Sequence, residues 1–471
     1  VVASSAVAPA PAGVGTWSVV ASPNTSEPLN RLDSVTCTSD SDCWAVGQAY
    51  YQEEPSGGNL IEQWNGTTWS IVPSPDATGE NALISVTCVS ASDCWAVGGH
   101  LILQPGYGDE TLTEHWNGTT WSIVASPNPT DLAAGLNGVA CVSTSDCWAV
   151  GDTYGPPGGD VSGSVIEHWD GSAWSVVGNG LSGGSLSSVT CVGESDCWAV
   201  GGTSNNSDAQ TLTEYWDGST WSVVPSANVG SGQYNELSSV TCAAASDCWA
   251  VGSDYSGVIL RKQPITQNLA EHWDGTAWSV VATPDSKPNQ YNSLGGVTCA
   301  ASTDCWAVGS FSKVKGPAET SSIRWDGSTW AATPSQSVAG GDNDLSSVSC
   351  TTALDCWSVG NTIVGSVTQT LIERLTPTTL VVTPASGPTG STVTVSGTGF
   401  PFGKHVKVTY LTAAASGRQS VTLCSTTAGA DGSFTCYGAI PPKNVGPPGP
   451  HTVEATGPQS LVVASTTFTL S

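Results

Sequence analysis

Three kinds of titratable side chain recur at fixed places in this chain of 471 residues. Asp42, Asp93, Asp146, Asp196, Asp247, Asp304 and Asp355 each precede a cysteine, and Glu62, Glu114, Glu167, Glu214, Glu271 and Glu373 each stand two positions before a Trp or its equivalent. His115, His168 and His272 share one further position of the same pattern. Paired carboxylates and imidazoles could do general acid–base work, and His with carboxylates could hold a metal. Either chemistry needs unlike groups converging on one point. A residue present once per repeat is spread through the molecule by that repeat, so the carboxylates read as architectural and the three His cannot form one metal site. The Asp residues are expected to accept from turn amides, as short Asx side chains do.

The elements that carry these residues must be β-strands. With 12 Lys+Arg against 39 Asp+Glu the net charge is -27, too little positive charge for a nucleic-acid binder driven by phosphate neutralisation. The 20 Trp and 54 Gly argue against disorder and against helix bundles, leaving an all-β chain. No apolar run of about 18 residues is present, so no membrane span is expected. The sequence has no Met and no charged segment followed by an apolar leader, and so reads as a mature, exported polypeptide.

Sixteen Cys support the same compartment. Fourteen form pairs with one spacing: Cys37/Cys43, Cys88/Cys94, Cys141/Cys147, Cys191/Cys197, Cys242/Cys248, Cys299/Cys305 and Cys350/Cys356; Cys424 and Cys436 remain. A spacing repeated in every copy favours a local bridge over the many other connectivities. A metal is the weaker reading, because no His accompanies the pairs. Bridges in this number imply an extracellular, secreted or cell-surface location.

Aligned on Cys-Trp, seven copies follow one another 50 to 57 residues apart, a period of propeller blades. Each copy reads as four short strands; between Leu186 and Ser226 they are LSSVTC, DCWAVGG, TLTEYWDG and TWSVVPS. Asn-Gly or Asp-Gly between the third and fourth marks a tight hairpin. The seventh copy has a third strand containing Leu371 and Ile372 but no Trp strand after it, whereas Trp17 and Val19 sit in an isolated Trp strand near the start. That strand is expected to complete the last blade, closing a seven-bladed β-propeller over residues 15–377 and removing an open edge.

SVTCVSASDCWAVGG (Ser85 to Gly99) and LTEHWNGTTWSIV (Leu112 to Val124) resemble a kelch-type repeat, with a Gly doublet at Gly98-Gly99 and again at Gly201-Gly202. From about Thr378 Trp vanishes, and LVVTPASGPTGSTVTVSGTGF (Leu380 to Phe400) resembles the opening of a bacterial immunoglobulin-like module of the IPT/TIG sort. The resemblance implies an Ig-like β-sandwich over 378–471, with Cys424 and Cys436 stapling one hairpin. Enzymes on propellers supply two tests. A copper-radical oxidase needs a free Cys with clustered His, and every Cys here is in a periodic pair or the last one. A sialidase-type site needs several convergent Arg, and the repeats hold only Arg31, Arg261, Arg324 and Arg374. No enzyme, cofactor or metal is therefore expected.

Recognition is expected on the face formed by the loops between strands two and three and between successive copies, because those loops vary. Tyr50, Tyr51, Tyr107, Tyr154, Tyr234, Tyr255 and Tyr291 lie there, and Tyr suits interfaces. Arg261, Lys262, Lys287, Lys313, Lys315 and Arg324 concentrate cations in the fifth and sixth copies, while Glu53, Glu54, Asp76, Glu80, Asp109 and Glu110 make the first two acidic. Such asymmetry suits head-to-tail docking on another copy. Residues 1–14 are small, apolar and Pro-broken, and are expected to lie on their own subunit or insert into a neighbour. The leading expectation is a secreted structural protein that self-assembles with other copies of itself into an extracellular fibre or surface layer. The alternative is a secreted carbohydrate-binding or adhesive module using the Tyr-rich face on a cell-surface glycan.

Overall fold

The computed structural model describes residues 15–50, 57–77, 79–102, 108–128, 133–155, 161–177, 183–203, 209–230, 234–260, 263–285, 290–313, 316–400, 405–412, 419–429, 432–441, 446–457 and 463–471. Among the described residues every regular element is a strand. The second copy shows the unit: Asn81–Ser90, Asp93–Ile102, Gly108–Trp116 and Trp121–Val124 pair antiparallel in chain order. Five sheets of this four-stranded kind stand separately, and an eight-stranded sheet contains two more sets. One of these is Leu29–Ser39, Asp42–Tyr50, Gly57–Trp64 and Trp69–Ile71; the other is Asp342–Thr352, Asp355–Val364, Val367–Thr376 and Thr16–Val20. They meet through one parallel bridge, Leu29 with Thr368. The result is an all-β, propeller-type arrangement of four-stranded antiparallel sheets.

Thr16–Val20 occupies the fourth place of its set, with Trp17 opposite Leu375, Val19 opposite Glu373 and Val20 opposite Ile372. On the other side of Val367–Thr376, Leu371 faces Gly360 and Ile372 faces Val359. The first strands of successive sets lie side by side, and Asp342–Thr352 lies beside Leu29–Ser39. Hydroxyls join these strands: the Val86 amide donates to Ser34 Oγ (3.2 Å), Val139 to Ser85 (3.2 Å), Val240 to Ser188 (3.3 Å), Val297 to Ser239 (3.2 Å) and Val35 to Ser347 (3.3 Å).

Each first strand carries a bulge just after its buried Leu, as between Leu32 and Ser34. The bulge drives its backbone against the second strand, which explains the glycine that ends every CWAVG or CWSVG. A Cβ at Gly151 would stand 1.9 Å from the Gly135 carbonyl oxygen. Second strands such as Asp42–Tyr50 are buried along almost their whole length, because each is central in its sheet and covered on both faces by neighbours.

The 20 Trp divide into seven on second strands, six on third strands and seven on fourth strands. They form triads across the joints between sheets: Trp44 lies 4.7 Å from Trp116 and 5.3 Å from Trp121, both of the following set. Indoles with this tilted and edge-to-face geometry contribute beyond their buried area.

Each spaced Cys pair is a disulfide between adjacent first and second strands: Cys37–Cys43, Cys88–Cys94, Cys141–Cys147, Cys191–Cys197, Cys242–Cys248, Cys299–Cys305 and Cys350–Cys356. The two cysteines of a pair stand directly opposite in register, which brings their Cα atoms to 4.0 Å. The spacing predicts the bridges but not how differently their two ends are placed. Cys43, Cys94, Cys147, Cys197, Cys248, Cys305 and Cys356 lie on central second strands and are fully buried in the cores between sheets, whereas their first-strand partners are half-buried. The sulfurs of the second strands are therefore packing atoms as well as cross-links, closed to any ligand. Cys424–Cys436 is the eighth bridge, and no free cysteine is left. Eight disulfides are compatible with an extracellular protein.

After Thr376 the chain forms a three-stranded sheet (Thr379–Thr383, Thr392–Thr398, Phe434–Ala439) and a five-stranded one that includes His405–Thr412 and Gln419–Thr427. Both contribute to one core, with Val395 and Phe434 from the first and Tyr410, Val453 and Phe468 from the second. Cys424 belongs to the five-stranded sheet and Cys436 to the three-stranded one, so the bridge ties the two sheets rather than the arms of one hairpin.

Candidate functional site

The Asp that precedes each second cysteine does not cap its turn. Its carboxylate accepts from a side chain on the third strand of the same set: Gln63 Nε2 donates to Asp42 (3.0 Å), and His115, His168 and His272 bond Asp93 (2.8 Å), Asp146 (2.8 Å) and Asp247 (2.7 Å). Tyr215 donates to Asp196, Arg324 to Asp304 (2.7 and 2.9 Å) and Arg374 to Asp355 (3.0 Å). The partner changes from copy to copy, but it is always planar and able to donate. In six sets the partner also lies on the second-strand Trp, as His168 does at 4.3 Å from Trp148 and Arg374 at 4.8 Å from Trp357. In that turn, between the first and second strands, the Ser41 amide donates to Ser39 Oγ instead (3.3 Å), while in the separate third–fourth hairpin Asn65 Oδ1 accepts from the amides of Thr67 and Thr68 (both 3.0 Å). Each His is thus held in its own set, among the described residues no group of three metal-ligating side chains occurs, and Arg324 is an internal ion pair rather than a free docking cation.

The recurring glutamates are buried, and five of them join two sets. Ser22 donates to Glu62 (3.0 and 3.1 Å), Ser126 to Glu167 (2.6 Å), Ser226 to Glu271 (2.5 Å) and Ser335 to Glu373 (2.7 Å); Ser74 donates to Glu114. Each serine lies five residues after the fourth-strand Trp of the preceding set, often in Ser-Pro-Asn or Ser-Pro-Asp. The Asn or Asp then accepts an amide of its own third strand, as Asn128 does from Thr111 (2.8 Å). For Glu214 the corresponding position is Asn179, outside the described residues. Loss of water pushes Glu62 up to about 8 and Glu114, Glu167, Glu271 and Glu373 up to about 7, with the serine hydroxyls opposing the rise. One joint has neither member of the latch: Thr283 replaces the serine, and the buried Ile323 replaces the glutamate. Removing one donor leaves a buried carboxyl short of its partner, so Ser22→Ala is expected to cost about 2 kcal/mol. Thr283→Ala is expected to cost less than half of that, and urea unfolding of both variants measures the difference.

A second joint is also unlike the rest. On the last third strand Leu375 takes the place of Trp, so Trp306 meets Leu375 and Trp17 instead of two indoles. With that indole missing, Trp306 Nε1 reaches the Ala353 carbonyl at 3.4 Å, the turn position to which third-strand Trp residues such as Trp64 donate elsewhere. Beside this joint is a cavity of about 720 Å³ lined by Trp17, Val19, Gln336, Val338 and Ala339 among others.

The tyrosines of the variable face do not form one cluster. Tyr234 and Tyr255 have ring centroids 4.9 Å apart, and the Tyr234 hydroxyl donates to Glu236 (2.9 Å). Tyr154 donates to Asp152 (3.2 Å), while Tyr50 and Tyr291 are half-buried. Lys313 is exposed. Tyr51, Tyr107, Arg261, Lys262, Lys287, Lys315 and residues 1–14 lie outside the described residues. Sequence reasoning singled out the variable loops but not the apolar outer rim, where Ile71, Ile123, Val176, Val223 and Val280, two residues after each fourth-strand Trp, are 39–52% exposed. The signal was the apolar residue of five of the six Trp-Ser-Val or Trp-Ser-Ile runs, whose outward direction required the strand register; in the sixth, Val19 is half-buried beside the cavity.

No family model matches the chain, and no curated relative matches it. Among solved structures, Chaetomium thermophilum Sqt1 bound to the N-terminus of a ribosomal protein is 10% identical with a TM-score of 0.42, covering 79% of this chain and 95% of that one. Penicillium chrysogenum α-L-arabinanase complexed with arabinobiose is 9% identical with a TM-score of 0.39, covering 78% and 98%. A Bombyx mori β-fructofuranosidase in complex with sucrose is 9% identical with a TM-score of 0.33, covering 93% and 86%. At such identity and overlap these likenesses do not bear on what this chain does.

Proposed function

We propose that the protein is a secreted or surface-attached structural subunit that self-assembles into an extracellular fibre or layer. In this reading the repeats form a seven-bladed, kelch-like propeller over 15–377, closed by Thr16–Val20, and 378–471 form an Ig-like sandwich. The adjacency of the first strands, the last beside the first, supports the closed propeller. The two sheets sharing one core support the sandwich.

One observation carries the function: the exposed Ile or Val that recurs on the outermost strand of five successive sets, on a molecule whose recurring carboxylates are engaged in internal packing. Apolar residues repeated along an unpaired edge suit contact with other copies. The reading is of a non-enzymatic subunit whose principal partner is itself. Sedimentation velocity across a wide concentration range tests it: concentration-dependent large species are expected, and a single monomeric species at high concentration overturns it.

A second reading, an adhesive module for a cell-surface glycan, is favoured by the Tyr234–Tyr255 pair with its adjacent Glu236 carboxylate. A glycan array would then show a sugar whose binding is lost in Tyr255→Ala, and an array without signal removes this reading.

A further inference from the structure

The cavity at the Leu375 joint has a shape and chemistry that suit a peptide. One wall is the fourth strand Thr16–Val20, whose outer edge is not paired with another strand among the described residues. There the Val19 amide donates to the Gln336 side chain (3.2 Å), a contact that an incoming backbone carbonyl could replace. The opposite wall is the small-residue stretch through Val338 and Ala339. Thr16 is 1% exposed and lines the cavity, yet its Oγ1 has no hydrogen-bond partner among the described residues. A buried hydroxyl of this kind is ordinarily satisfied.

We infer that this groove receives residues 1–14 of a second copy of the chain as an added β-strand. The inference rests on the self-assembly reading and gives it a specific contact. The segment VVASSAVAPAPAGV has no charged side chain and consists of Val, Ala, Ser, Pro and Gly, which suits the Trp17, Val19, Pro334, Val338 and Ala339 part of a lining that also holds Glu319, Gln336 and Asn343. Fourteen extended residues reach up to about 50 Å, enough to cross from one molecule to the next. The chain's own geometry favours a second molecule over self-docking. Gly15 is buried beside the carbonyl of Thr376 and the side chain of Leu375, so the chain enters Thr16–Val20 from the Pro377 end. The Val338–Ala339 wall belongs to the stretch that follows Trp330–Thr333 and lies alongside Thr16–Val20, so a tail of the same subunit would have to double back just before Gly15 to lie in it, whereas a tail of a second molecule would not. One tail and one groove on each subunit make a heterologous, head-to-tail contact, which propagates as a fibre when its rotation does not close. Added strands of this kind draw affinity from main-chain hydrogen bonds.

The test uses the full chain, a variant lacking residues 1–14, Ala339→Trp to fill the exposed groove wall, and a labelled synthetic peptide of residues 1–14. Full-length protein is expected to form large species that excess peptide disperses. The truncated chain is expected to remain monomeric and to bind the peptide saturably, and Ala339→Trp is expected to lower peptide binding at least tenfold and abolish assembly while melting like the parent. Equal peptide binding by parent and Ala339→Trp overturns the groove. Assembly by the truncated chain, with no peptide binding, overturns the groove but leaves self-assembly standing. A full-length chain that is monomeric at every concentration, with peptide binding only after truncation, shows docking within one subunit and overturns both.

Discussion

Replacing Trp17 with alanine is expected to lower the stability of the fold by about 4 kcal/mol, within the range for emptying a buried aromatic site. Trp17 is fully buried, meets Trp306 edge to face at 5.5 Å, and shares a cluster with Val308, Leu345 and Leu371. Its loss enlarges the cavity at the joint where one indole is already replaced by Leu375. The effect should exceed that of alanine at Trp69, although both are fourth-strand Trp residues. Trp69 is held by a hairpin within its own set, where Trp64 pairs with Trp69 directly across the turn. Trp17 pairs with Leu375, far along the chain, so its strand is held by packing and by the Ser22 and Asn24 contacts rather than by a short connection. Closing so long a loop carries a larger entropic penalty. Hydrogen exchange distinguishes the two: Trp17→Ala is expected to expose the amides of Val367–Thr376 ahead of the other sets, and uniform exchange across all sets would argue against this strand as the closure.

The strands were legible because their signals are local. Val, Thr and Trp alternate over a few residues, and Asn-Gly or Asp-Gly places the hairpin, as at Asn65-Gly66 where the glycine has φ +90°. The disulfides were legible for the same reason, while the burial of Cys94 or Cys305 depends on which strand is central in the sheet. Side-chain partners were harder to read, both within a set and across the joints. Asp93 and Asp304 stand at the same repeat position, but one meets His115 and the other Arg324; only their shared planar, donating character unites them, and residue identity hides it. The Ser74 to Glu114 latch joins residues in different copies, so Glu recurrence was visible while its partner was not. The missing third-strand Trp was equally visible at Leu375, but the nearby cavity depends on how Trp17 and Val19 lie against the stretch through Val338 in three dimensions. Charge gave the least information: Arg324 and Arg374 contribute to a surface count in sequence and are ion-paired over Trp rings in the fold.

Raising the pH from 5 to 8 is expected to destabilise the protein, the reverse of the trend set by salt-bridged carboxylates. An ordinary Glu titrates near 4.5, whereas Glu62 titrates at about 8 and Glu114, Glu167, Glu271 and Glu373 at about 7 in the folded chain. Between these limits the folded state holds protons that the unfolded state has released. Stability from these groups is therefore complete below about pH 4.5 and declines as pH rises to the folded values. One pKa unit corresponds to about 1.4 kcal/mol, so upward shifts shared by five buried groups make this loss a large fraction of the stability of the fold. Exposed turn residues set the acidic limit. Asp170 is held down at about 2, first by the Ser172 hydroxyl and then by backbone amides, and Asp217, Asp274 and Asp326 are lowered in the same way. Their contribution is present above the ordinary Asp range and is lost as pH falls through the lowered values, which places maximum stability near pH 4 to 5. Glu62→Gln keeps the side-chain shape without the ionisable proton, so it should remove its share of the slope, leaving the variant more stable than the parent at pH 8 and no more stable at pH 5. Thermal melts of parent and variant from pH 4 to 9 measure this directly; a parent whose melting temperature is flat or rises over pH 5 to 8 would mean that these carboxyls remain ionised inside the joints.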